Sequence, residues 1–136
     1  MRNGIGKLNI SLGLIVMAAF MAYGFWLIYM RDFHPNKEAW IAASYMGEHF
    51  QSRIAHVHGN LFSLLNIVFG YLILTLPIPS GYAKITSIFA LLGLLMPIGI
   101  LAETHFNAPF YLVLIGAIFI ILATLTLALG IFAMRD

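Results

Sequence analysis

The chain has 136 residues, 62% of them hydrophobic and 9% charged, with a formal net charge of +2 and no cysteine. Globular domains run about 45–50% apolar and roughly 25% charged, and a soluble fold this short buries too little surface to hide so much apolar side chain. Composition therefore excludes a soluble domain, the lack of thiols excludes disulfides, thiolate metal sites and c-type haem attachment, and the small, scattered charge argues against nucleic acid as a partner.

A membrane span needs about 20 mainly apolar residues, and four stretches qualify. The first covers 10–30. Arg2 and Lys7 precede it as in a secretory signal, but the apolar run is longer than a signal core and no small-residue cleavage site comes before Arg31, so it reads as a retained span. The connection that follows, "RDFHPNKEAWIAASYMGEHFQS", is long for a helix–helix link. With Asn36 as a cap and apolar side chains at Trp40, Ile41, Tyr45 and Met46, it reads as a short interfacial helix or a lid.

The second span covers 54–76 and opens with "RIAHVHGNLF". Pro77, Pro79 and Gly81 then make a tight turn. The third covers 85–102 and contains Pro97 and Gly99, which should bend it because proline deletes a backbone hydrogen bond and crowds the preceding turn. After the short "ETHFNAP" connection, the fourth span covers 110–134, where Thr124 and Thr126 bond back to their own helix. Short links force antiparallel neighbours. The expected fold is all-α: one integral-membrane domain over 1–136, an up-down four-helix bundle.

Four spans put both termini on one side, with Arg2, Lys7, Lys84 and Arg135. The opposite side holds Arg31, Lys37 and Arg53. By the positive-inside rule the margin of one residue places the termini in the cytoplasm, as in a multi-pass protein of the inner (cytoplasmic) membrane if the chain is bacterial. All five histidines, His34, His49, His56, His58 and His105, fall on the side opposite the termini, together with Glu48 and Glu103. Loops collect polar residues by default, so placement within the helices carries more weight.

At 3.6 residues per turn, His56, Asn60, Ser63, Asn66 and Gly70 form one stripe of the second span, and polar or small residues in a span face the bundle. His49 and Arg53 join that stripe if the helix extends back to about Tyr45. His58 lies about 200° round from His56 and cannot share one small site with it. In an antiparallel bundle Glu103 and His105, at the end of the third span, come level with His56, His58, Glu48 and His49. Such a set suits one transition metal, with His56, His58, Glu103, His105 and His49 as candidate ligands. It suits a b-type haem equally, held by His56 and His105, with His58 next. Each side chain also has a plainer reading: His56 bonded to Asn60 or a neighbouring carboxylate, His49 and Glu48 as solvated loop groups, His34 as a turn residue before Pro35, and Glu103 paired with Arg53.

The stretch "AHVHGNLFSLLNIVFGYLI" resembles two groups. In subunit I of haem-copper oxidases a His-x-His in a membrane helix addresses two haems from opposite faces. In a set of small four-span bacterial membrane proteins a His-x-His heads the second span. The resemblance covers about twenty residues, with overall length and span count, and implies a ligand role for His56 and His58. The chain lacks the oxidase's further histidines and copper-binding set, so at most one haem or one metal finds protein ligands here.

These readings lead to an integral membrane protein binding one haem b or one transition metal at the helix ends opposite the termini. It would act in electron transfer or as a cofactor-bearing subunit of a respiratory or oxygenase complex. The alternative is a cofactor-free accessory subunit packing against larger membrane partners or copies of itself. Under either, quinone can meet a membrane-level histidine. A metal-dependent enzyme using Glu103 as base on a lipid or quinone ranks behind both. There is no glycine-rich phosphate loop, no His-Glu-x-x-His and no Glu-x-x-His pair, so no catalytic residue is named.

Overall fold

A computed structural model describes residues 2–134, with side chains from residue 4 onward. Arg135 lies outside the described residues, as does the side chain of Arg2; both entered the charge comparison above. Six helical segments follow one another: α1 (Arg2–Asp32), α2 (Lys37–Ala42), α3 (Gly47–Thr75), α4 (Ser80–Gly93), α5 (Leu95–Phe106) and α6 (Tyr111–Phe132). Four stretches are long and apolar enough to cross a bilayer: Gly4–Asp32, Gly47–Thr75, Ser80–Phe106 and Tyr111–Phe132. The chain is a multi-pass membrane protein with an all-α four-helix bundle.

The helices outrun the apolar runs that mark them. The second starts at Gly47 rather than near residue 54, because Gly47 takes a left-handed φ of 67° that turns the chain into α3. The third span is α4 and α5 in sequence, broken at Leu94. Pro97 has no N–H to offer the Gly93 carbonyl and crowds it. The Leu94 amide falls back on the tighter bond to Leu91 at 3.2 Å. The helix is broken one turn N-terminal to the proline. Asn107, at φ 53°, caps α5 in the left-handed region that Asn tolerates.

α1 packs on α3, α3 on α4 and α5, and these on α6. The flanking helices leave most of their surface to lipid: 11% of the most apolar window is buried in the first span and 22% in the fourth, against 39% and 44% in the inner two. The α1–α3 seam is made close by small residues. A Cβ on Gly70 would stand 2.6 Å from the Gly6 carbonyl oxygen, and one on Gly13 2.8 Å from that of Ser63. Where the backbones meet this closely, dispersion takes over the role that the hydrophobic effect has in water.

One polar knot lies inside this apolar frame. Asn9, Asn66 and Ser87, each almost fully buried, join α1, α3 and α4. Asn9 Nδ2 donates to Asn66 Oδ1 at 2.9 Å, Asn66 Nδ2 to the Ala90 carbonyl at 2.8 Å, and Ser87 Oγ to Asn9 Oδ1. Lipid offers no substitute partner for any of them, so the knot fixes how three helices register. Thr86 and Thr126 tie α4 to α6 in the same way, at 3.0 Å between hydroxyls.

Candidate functional site

The centre of the α3 inward face is Ser52, Ala55, Gly59, Phe62, Ser63, Asn66 and Gly70, all buried. His56 and Asn60 are half-buried and stand at the edge of this face, not at its centre as the stripe in the sequence suggested. The smaller Ala55 and Gly59 take the centre because the Phe20 ring sits where a Gly59 side chain would go, 2.3 Å from the Cβ position. Both edge residues border a groove between α1 and α3 of about 600 Å³, lined by Met21, Gly24, Phe25, Leu27, Ile28, His56 and Asn60. Met21, Phe25 and Ile28 are exposed, so the groove opens sideways toward the bilayer.

His56 is held firmly there. Its Nδ1 lies 2.8 Å from the Phe20 carbonyl oxygen of α1, and a carbonyl can only accept, so Nδ1 carries the proton. Nε2 is then an unprotonated lone pair in the neutral ring, and no protein partner bonds it among the described residues. Asn60 donates to the His56 carbonyl at 2.9 Å, one turn below. Gly24 makes room for the ring: a Cβ there would sit 2.8 Å from His56 Cε1.

His58 goes elsewhere, as 200° of helix rotation requires. Its Nδ1 donates to the Ile54 carbonyl at 3.0 Å, its ring meets Phe62 edge-on, and it borders a separate hollow with Phe50, Arg53, Ile54 and Val57. His105 belongs to a third setting. Its Nε2 is 3.2 Å from the Tyr23 hydroxyl, its Nδ1 is 3.6 Å from Glu48 Oε1, and its ring stands edge-on to Trp26. Tyr23 and Gly24 are adjacent on α1, about 100° apart round the helix. His105 and His56 thus meet different faces of α1, and His105 does not border the His56 groove.

Three sequence readings need correction. His49 is not a solvated loop group: α3 reaches back past it, it is buried, its ring stacks on Trp40 at 4.5 Å between centroids, and its Nδ1 is 2.6 Å from the Trp40 carbonyl oxygen. Trp40 is the one buried residue of α2, so this short helix is pinned over the start of α3. Asn36 occupies the cap position of α2 but makes no side-chain cap bond. Instead its amide donates to His34 Nδ1 at 3.1 Å. Glu103 does not pair with Arg53, because Arg53 turns toward the connection and its Nη1 donates to the Ser44 carbonyl at 3.3 Å.

Among the described residues no three His, Cys, Asp or Glu side chains gather into a group able to hold a metal ion. His56, His58, Glu103, His105 and His49 share one end of the bundle, but helix rotation and local bonding distribute them over separate settings. Sequence reasoning missed the groove, which α1 builds from Met21, Gly24, Phe25, Leu27 and Ile28. Its only sequence trace was the placement of a glycine in α1 opposite a polar edge of α3. No protein-family model matches the chain, and neither a curated protein nor a solved structure matches it.

Proposed function

We propose that the chain is a membrane subunit that carries one b-type haem for electron transfer, which His56 would hold at the α1–α3 groove. The observation that carries this reading is the groove of about 600 Å³ beside His56, whose Nδ1 is held 2.8 Å from the Phe20 carbonyl; His49 and His58 make the same kind of bond beside smaller spaces. Ligating histidines donate their other ring N–H to a carbonyl or carboxylate, which fixes the tautomer and raises the basicity of the ligating nitrogen. His56 has that arrangement before any ligand arrives. The His56 side chain lines a groove of about 600 Å³, within the range of cofactor and ligand sites. Imidazole suits iron, and a bound haem would supply a one-electron carrier at this depth. His105 is tied to Tyr23 and Glu48, so the reading assigns one protein ligand rather than the His56–His105 pair.

The test is haem titration of the purified full chain and of His56→Ala. The wild type should develop a Soret band that saturates at one haem per chain, and His56→Ala should lose it while keeping its helical circular dichroism. Equal spectra from both proteins would remove His56 from the site.

The cofactor-free accessory subunit is favoured by a different observation. His34, His49, His58 and His105 each bond a group of their own chain, as histidines with a purely structural role do. On that reading His56→Ala and His105→Ala leave the complex assembled and active, and loss of activity with intact assembly would contradict it.

A further inference from the structure

A second space adjoins the His56 groove at Leu27 and Ile28. It measures about 390 Å³, and its other walls are Arg31, Ile41, Ser44, His49 and Arg53. The two spaces are separate and adjoin across these two side chains. One is apolar and is lined by an imidazole, and the other is cationic. Phe20, whose carbonyl holds His56, lies roughly 16 Å along α1 from Arg31 at 1.5 Å per residue. Arg31 thus marks the far wall of the second space, toward the end of α1, while Arg53 stands nearer to His56.

The two arginines are not equivalent. Arg31 spends its Nε and Nη2 on Asp32, at 2.9 and 2.8 Å, so that pair is close to neutral. Arg53 has no carboxylate partner among the described residues, and its one bond is the long one to the Ser44 carbonyl, 3.3 Å. It lies one helical turn above His56, about 4.5 Å along α3. A guanidinium is built to take a carboxylate through paired N–H donors, and here it lines the second space without one.

We infer that Arg53 is the anion-holding end of the His56 site and takes a propionate carboxylate of the haem. This rests on the haem reading and adds that a haem held by His56 would turn its carboxylates toward Arg53. The charge pattern matches an amphiphile with an apolar body and carboxylates at one edge.

The experiment titrates the full chain in zwitterionic nanodiscs with haem and with haem dimethyl ester, which lacks the carboxylate charge. Wild type, Arg53→Ala and Arg53→Lys are compared, with circular dichroism as the folding control. Arg53→Ala should weaken haem binding about tenfold, the scale of a charge-assisted hydrogen bond. It should leave dimethyl-ester binding unchanged, and Arg53→Lys should recover part of the loss. Equal affinity of wild type and Arg53→Ala for haem would overturn the subsite while the His56 assignment stands. Equal weakening toward both porphyrins would overturn it too, by showing that Arg53 acts on the fold. No Soret band from wild type with either porphyrin would overturn the haem reading and the subsite together.

Discussion

A single backbone carbonyl decides what His56 is. Without the bond to Phe20, Nδ1 and Nε2 would exchange the proton freely. With it, the lone pair is fixed on Nε2, and Gly24 is the residue that lets the ring reach its partner. Replacing Gly24 by valine puts branched carbon where His56 Cε1 sits, 2.8 Å from the Cβ position. The ring must swing away and the bond to Phe20 is lost. Gly24→Val should therefore weaken haem binding by tenfold or more at unchanged helicity, read by Soret titration. Asn60→Ala, which removes the bond to the His56 carbonyl, should cost less, because that oxygen already serves the helix. None of this was legible in the sequence. His56 and Phe20 are far apart in the chain, and the acceptor is main chain, which leaves no trace in residue type.

The helices themselves were legible, and the reason is physical. A bilayer demands about 20 apolar residues per crossing, so four runs announce four spans. Their ends were legible only as alternatives, because helices extend into the headgroup layer where polar residues are tolerated: α3 starts at Gly47 and carries His49 and Arg53, the longer of the two readings. Pro97 announced the interruption of the third span because a missing N–H acts on its own helix. The Asn9–Asn66–Ser87 knot was half visible, since Asn66 was expected to face inward but Asn9 lay outside the 10–30 span.

Asn66→Ala should destabilise the bundle by about 1–2 kcal/mol, since it strips bonds from two neighbouring helices in a medium with no replacement donor. Detergent-titrated unfolding of the helical signal measures this, and haem affinity should not change. Gly116→Ala is a harsher change, because the new Cβ would stand 2.1 Å from the Met96 backbone nitrogen. α5 and α6 must then separate. A lowered unfolding midpoint is expected, larger than for an alanine placed on the lipid face of α6, such as Leu125→Ala.

At the scale of the molecule, one end of the bundle gathers the histidines and interlocked aromatic rings, while basic residues stand at both ends. Trp26, Trp40, His49, His105 and Tyr23 interlock by ring contacts, and α2 closes over them. The chain contains no cysteine, so topology can be read directly from introduced ones. Lys7→Cys and Tyr45→Cys should be labelled by a membrane-impermeant maleimide from opposite sides of sealed vesicles. Labelling of both from one side would contradict the four-span arrangement. The positive-inside margin expects Lys7 to be on the cytoplasmic side, and the same vesicles, of known orientation, test that expectation.

Haem binding at His56 is tested most directly by a dithionite-reduced minus oxidised absorption spectrum of the full chain purified from its native membrane, with haem extracted and quantified. The expected result is about one non-covalent haem per chain and a Soret band that shifts on reduction. Protein that is folded and free of haem, with no Soret band even after growth with ample haem, would contradict it.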